Sequence, residues 1–418
     1  MHIKPSLNWK LSALAVAVAL SACGGGDDDK NPLGINAVKV IGDSLSDGGT
    51  FSGIPGGARI ASVQGSSDEP NVLWVERVAK AYELAPLCPV YKFNGTTFAA
   101  NTQAGCTNFA IGGARINNPA ASGGAAAPLS IGKQLTDAAA KGWGAKDLVL
   151  VDGGGNDAAD VVGAYLGASA DQGAAYQALL LTLIPATTLQ TVLAGANGPE
   201  NAGGLYMQAL ADNFAGTIKA QALDKGAKQV VVANIPTITY TPRFQAVLDQ
   251  IGASAAGPAG RAQAEALFKG WVNAFNQRLA ANFSGESRVK VVDLATRFTD
   301  QVLNPAKYNL TNVTLPVCGA AWVTVVPQRS FAECTASALS ATPPPPGAPS
   351  GSGWWQRYLF SDGFHPPRTA TSCLPTWCWT CWTTPTGIDA CACAMKNVRC
   401  QVFHADMQRG ERSYGAAG

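Results

Sequence analysis

Four short apolar runs constrain this chain more than any other feature of it. They are Ala37 to Ile41, Asp147 to Asp152, Gln229 to Asn234 and Val289 to Asp293, each of strand length and rich in valine, leucine and isoleucine. Runs of this kind suit strands buried on both faces of a parallel sheet. Between them lie segments with helical spacing. Val72 to Tyr82 places Val72, Val75, Val78, Ala79 and Tyr82 on one face, and Leu129 to Lys141, Tyr206 to Asp224 and Gly260 to Asn282 read the same way. Asp160 to Leu193 is Ala/Leu-rich and helical in character, an insertion or a long helical pair with no chemistry of its own. The alternation predicts a doubly wound α/β fold around a parallel sheet.

Open α/β sheets bind ligands beyond the carboxyl ends of their strands, so the residues after each run matter most. The first run leads into Gly42-Asp43-Ser44-Leu45-Ser46-Asp47-Gly48-Gly49. A serine there is either part of an ordinary Gly/Asp/Ser turn or a nucleophile, and a nucleophile needs a base to take its proton. The chain has three histidines: His2 near the start, His404 near the end, and His365. Asp362 stands three residues before His365, where a turn brings a carboxylate to the imidazole, the third role of a Ser-His-Asp triad. Asp-x-x-His also fits a surface loop or half a metal site, but no further ligands cluster with it, so neither a metal nor another cofactor is expected. Acyl transfer further needs donors for an oxyanion. The backbone N–H of Ser44, one N–H of the Gly112-Gly113 turn and the amide of Asn156, after Gly153-Gly154-Gly155, are the candidates.

The chain of 418 residues is 47% hydrophobic and 14% charged, enough for one large core or two modest ones. A net charge of +2 with no dense Lys/Arg run leaves no electrostatic footprint for nucleic acid. Nothing in the sequence bears on oligomeric state. Residues 1–22 read as an export signal: Lys4 and Lys10 precede an apolar run, Leu11 to Leu20, too short to span a bilayer. Leu20-Ser21-Ala22-Cys23 resembles the bacterial lipoprotein cleavage box, and that resemblance implies a lipid on Cys23, with residues 23–35 as a polar tether. The expected location is the bacterial cell envelope, held to the membrane through Cys23, or outside the cell if Cys23 is not lipidated.

Export permits disulfides. Cys88, Cys106, Cys318 and Cys334 suggest two local bridges, 88 to 106 and 318 to 334, though three pairings remain open. The segment between Cys318 and Cys334 and the run Pro343 to Pro346 look like surface loop. The aromatic patch Trp354 to Phe360 reads as core packing or as one wall of an acyl or aryl pocket, with packing the favoured reading.

Taken in order, these blocks resemble the GDSL, or SGNH, hydrolase family. Gly42 to Asp47 resembles its nucleophile block and Asn108 to Ala114 the second, where counting from the asparagine favours Gly113 over Gly112 as oxyanion donor. Gly155-Asn156-Asp157 resembles the third block, and Asp362 to His365 the last. The resemblance covers residues 36–366. It implies a three-layer, flavodoxin-like α/β/α sandwich around a parallel sheet of about five strands. It also implies hydrolysis of carboxylic esters (lipid, short-chain acyl or aryl) through an acyl-enzyme on Ser44. No Gly-x-Ser-x-Gly elbow occurs, which counts against an ordinary α/β-hydrolase. The alternative is a catalytically inactive surface lipoprotein that binds lipid or glycan on the same fold.

Residues 367–418 depart from the family. They hold six cysteines and three tryptophans and no apolar helical period. The codons of Trp377 to Thr383 are nearly fixed, and read two bases on they spell an amphipathic pattern, (Leu/Met/Val)-Val-Leu-Asp-(Leu/Met/Val)-Leu-Asp. A frameshift near Pro366 and Pro367 accounts for this; the rival is a genuine Cys-rich extension, whose spacings make a poor zinc pattern.

Overall fold

Period-two alternation decides how the strands are buried. In the computed structural model the described residues are 31, 33–54, 59, 63–65, 73–318, 330 and 332–366. The expected export signal, Cys23, most of the tether and the Cys/Trp-rich tail lie outside them. The strands are β1 (Ala37–Ile41), β2 (Tyr91–Phe93), β3 (Phe98–Ala100), β4 (Asp147–Val151), β5 (Gln229–Ala233), β6 (Val289–Val292), β7 (Asn312–Pro316) and β8 (Tyr358–Phe360). The helices are α1 (Trp74–Ala81), α2 (Ile131–Ala140), α3 (Gly155–Asp171), α4 (Ala174–Leu180), α5 (Ala186–Leu193), α6 (Gly198–Ile218), α7 (Pro242–Ala253), α8 (Gly257–Asn282), α9 (Leu294–Leu303) and α10 (Ala336–Ser340).

The main sheet runs β1-β4-β5-β6, all parallel. Its two faces feed two cores. Val149, Val151, Val230 and Val232 point into one, shared with α2, α3, α6 and α8; Val38, Val40, Leu148, Leu150 and Val231 point into the other, shared with α1 and Leu294. This is the expected three-layer α/β/α sandwich. The count of strands differs slightly from expectation. A fifth position, beside β1, is filled by residues 107–111, which pair with it through Val40 N–H to Thr107 O (3.0 Å), Phe109 N–H to Val40 O (2.7 Å) and Ile111 N–H to Gly42 O (3.1 Å). Only Asn108 forms a ladder bridge there, so the segment is an irregular edge rather than a strand. β4 is buried at all five positions, as befits its place inside the sheet.

The helical expectation over residues 160–193 resolves into the end of α3 with α4 and α5, packed on α6. Helices α7 and α9, the hairpin β2–β3 and the parallel pair β7–β8 have no counterpart in the sequence reading. At three residues each, β2, β3 and β8 carry too little periodicity to be recognised.

Cys88 is bonded to Cys106, and Cys318 to Cys334. The first bridge fastens the approach to β2 onto the edge segment 107–111. The second lies in a small core with Val63, Leu339, Trp354, Trp355 and Tyr358. Trp354 Nε1 donates to the carbonyls of Leu339 (3.2 Å) and Thr342 (3.0 Å). The aromatic patch is thus packing, and it anchors β8 immediately before residues 361–365.

Candidate active site

Each functional side chain is delivered by a turn at the carboxyl edge of the sheet. β1 ends at Ile41, and the chain turns through Gly42 and Asp43 to Ser44, which is 4% exposed. From the far end of the described chain, β8 delivers the turn 361–365, closed by Ser361 N–H to His365 O at 2.8 Å. Residues 321 positions apart meet here: Ser44 Oγ lies 2.7 Å from His365 Nε2. The other ring nitrogen, Nδ1, is 2.8 Å from Asp362 Oδ2 and 3.0 Å from Oδ1. A carboxylate can only accept, so Nδ1 carries the hydrogen and Nε2 is left to accept from the serine hydroxyl.

Asp362 is itself fixed. Its Oδ1 accepts the N–H groups of Phe364 and His365, both at 2.7 Å. Burial alone pushes this carboxyl up, but the facing imidazole and these two N–H donors outweigh it and hold Asp362 below the ordinary carboxylate value. For His365, burial pulls the imidazole down; the charge and hydrogen bond of Asp362, with a smaller contribution from Asp43, more than offset this, so its pKa is raised.

The candidate oxyanion donors lie in turns tied by hydrogen bonds to one another and to the turn that carries Ser44. Gly113 has φ +83°, the left-handed region where glycine is at ease. Its neighbour Gly112 gives its N–H to Asp47 Oδ2 at 2.8 Å. That leaves the Gly113 N–H, and likewise the Ser44 N–H, with no hydrogen-bond acceptor among the described residues. N–H groups without an internal acceptor are what a developing oxyanion requires. The Gly112 N–H is therefore committed, and the Gly113 N–H is not. Asn156 sits in the first turn of α3, where Gly154 at φ +96° starts the helix. One of its amide hydrogens goes to Ala114 O at 3.0 Å, and the other is uncommitted.

Several residues in the quoted blocks turn out to brace this geometry, though the sequence reading gave them no role. Asp47 Oδ1 accepts Gly49 and Thr50 N–H, both at 2.8 Å, so with Gly112 on Oδ2 it ties the turn after Ser44 to the Gly112-Gly113 turn. Asn108 donates to Ser46 O at 2.8 Å. From α3, Asp157 accepts Ile116 N–H (3.0 Å) and Asn117 N–H (2.8 Å), and Asp160 holds the Arg115 guanidinium (2.5 Å), which also donates to Gly113 O (2.7 Å). Burial pushes Asp157 up to about 6. The signal in the sequence was the presence of carboxylates inside glycine-rich turns, where a buried charge needs several donors to persist.

Among the described residues no cluster of three or more His, Cys, Asp or Glu side chains is arranged to hold a metal ion. The site offers a hydroxyl within proton-transfer distance of an oriented base, and N–H donors free to receive negative charge. Comparison with curated proteins finds no match. A family model described as GDSL-like Lipase/Acylhydrolase matches residues 38–373, which takes in all four blocks. This chain belongs to that GDSL-like lipase/acylhydrolase family, the fold and the ordered blocks agreeing with the match.

Proposed function

We propose that this protein hydrolyses carboxylic esters through an acyl-enzyme on Ser44. The observation that carries the reading is the 2.7 Å contact between Ser44 Oγ and His365 Nε2, with Asp362 against the opposite ring nitrogen. His365 accepts the hydroxyl proton as Ser44 Oγ attacks the ester carbonyl. The tetrahedral oxyanion lies among the N–H of Ser44, the N–H of Gly113 and the free amide hydrogen of Asn156. As the carbonyl re-forms, His365 passes the proton to the departing alcohol. Water then repeats the cycle on the acyl-enzyme, releasing the acid and restoring Ser44.

The lipoprotein-like box at Cys23 supports an exported enzyme held to the envelope membrane, and the codon pattern after Pro366 supports a change of frame there. Independent resequencing of the locus tests the second point; an intact frame refutes it. For the chemistry, Ser44→Ala in chain lacking residues 1–23 is assayed on p-nitrophenyl esters of increasing acyl length. Loss of turnover is expected, together with loss of fluorophosphonate labelling. Undiminished turnover disposes of the mechanism, and an unmodified chain that neither labels nor turns over is the inactive lipid- or glycan-binding protein instead.

A further inference from the structure

One buried carboxyl against the turn that carries Ser44 takes no part in the steps above and lies in none of the four blocks. Asp152 immediately follows β4 and is buried. Its Oδ1 accepts the N–H of Asp43, the residue before Ser44, at 3.0 Å, and its Oδ2 accepts the hydroxyl of Ser46, two residues after Ser44. Ser46 is held twice more: its hydroxyl accepts from Trp74 Nε1 on α1 at 3.0 Å, and its carbonyl accepts from Asn108 at 2.8 Å. The Asp152 carboxyl fills the space that a side chain at position 42 would need, since a methyl group on Gly42 would stand 2.6 Å from Cγ. Gly42 and Asp152 are thus matched, one side chain absent so that the other can reach the turn.

What these bonds fix is a direction. A trans peptide unit holds its C=O and N–H antiparallel. The Ser44 N–H shares its unit with Asp43 O, and Asp43 O accepts the Ser46 N–H at 3.2 Å. The Ser44 N–H therefore points away from Ser46. Asp152 holds this unit from both sides, at the Asp43 N–H one peptide earlier and at the side chain of Ser46, whose N–H is the donor. The other N–H groups of the turn are also committed: Gly42 donates to Gln134 Oε1 on α2 (2.9 Å) and Leu45 to Asp43 Oδ1 (3.0 Å). From Gly42 to Ser46, the Ser44 N–H alone has no acceptor among the described residues. We propose that Asp152 is a positioning residue for the oxyanion site. By pinning Asp43 and Ser46 it keeps the Ser44 N–H turned away from the turn and ready for the charge that develops on the substrate oxygen. Such a donor is effective because its direction is set before the reaction begins. Asp152 acts through that N–H and moves no proton of its own.

The inference rests on the Ser44 acyl-enzyme reading, so the full chain is first assayed on p-nitrophenyl acetate and labelled with a fluorophosphonate. Each variant is then compared on that ester and on its thionoester, in which sulfur, a weak hydrogen-bond acceptor, replaces the carbonyl oxygen. Deleting an oxyanion donor outright costs about 10²–10³ in kcat, and releasing the Ser44 N–H without deleting it is expected to cost about 10- to 100-fold in Asp152→Ala, with KM little changed. The same variant is expected to lose far less on the thionoester, because sulfur gains little from a well-aimed N–H. A purely structural role would lower both rates alike. Ser46→Ala removes one of the two holds and is expected to show the same pattern with a smaller loss; it decides the matter should circular dichroism show that Asp152→Ala does not fold. Equal losses on the two substrates in a folded variant, or an unchanged kcat, overturn the assignment while leaving Ser44 the nucleophile. A native chain that neither labels nor hydrolyses the ester overturns the proposed function, and this assignment falls with it.

Discussion

Asp362→Asn isolates what orientation of the imidazole is worth here. In the native turn, Asp362 Oδ1 accepts two backbone N–H groups at 2.7 Å while Oδ2 takes the His365 Nδ1 hydrogen at 2.8 Å. The asparagine oxygen keeps the backbone donors, which places its NH2 group against Nδ1. Two donors cannot face one another, so the ring moves its hydrogen to Nε2, the nitrogen 2.7 Å from Ser44 Oγ. In that tautomer the ring cannot take the serine proton. The turn itself survives, because its backbone partners are retained. The loss expected for the same change of tautomer in a triad is about 10⁴-fold in kcat, about 5 kcal/mol of transition-state stabilisation. The assay is steady-state hydrolysis of p-nitrophenyl acetate at pH 8, with circular dichroism and thermal melting of the same preparation. Retention of more than a tenth of native kcat in a folded variant would show that Asp362 does not set the tautomer, and the argument for the triad would fail.

The remaining predictions concern pH, loop bracing, packing and the first disulfide. Since His365 must be neutral to act as base and its pKa is raised, the acid limb of kcat/KM is expected above the ordinary histidine value of 6.5; a limb below 6.5 contradicts the net effect of Asp362. The same shift contributes stability that is present below 6.5 and disappears as pH rises through the folded-state value, and melting curves across that window check the sign. Asp157→Ala strands the N–H groups of Ile116 and Asn117 and should cost about 1–3 kcal/mol, with a larger fall in kcat than in melting temperature would suggest because the oxyanion loop loosens. Gly42→Ala places a methyl 2.4 Å from Asp152 Oδ1 and is expected to cost about 1–3 kcal/mol with loss of Ser44 labelling; wild-type labelling would mean the turn can move aside. Replacing Cys88 and Cys106 by serine opens a loop of 18 residues and should lower stability by about 3 kcal/mol in urea titrations.

Much of the architecture was legible because its signals are local. β1, β4, β5 and β6 announce themselves as apolar runs, and α2 and α8 by periodicity, since burial on known faces is written directly into residue type. The candidate triad was legible by a different route. With three histidines in the chain and one of them three residues after an aspartate, few alternatives existed. Elements stabilised by partners distant in sequence were not legible. β8 is three residues long and exists because it pairs with β7 and rests on the Trp354 core, and residues 107–111 occupy the fifth sheet position without the regular ladder that periodicity detects.

By itself the amino-acid order determined the layered α/β class and the residue types available for acyl chemistry, because strand burial and glycine turns depend on neighbours a few positions away. Only the tertiary structure decided that Gly113 rather than Gly112 offers a free N–H, since that turns on where Asp47, 65 positions earlier than Gly112, directs its carboxylate. It alone placed Asp152 against Asp43 and closed 321 residues of chain into one 2.7 Å contact. Hydrogen bonds and buried charges are settled by partners that folding brings together, and adjacency in the chain says nothing about which partners those are.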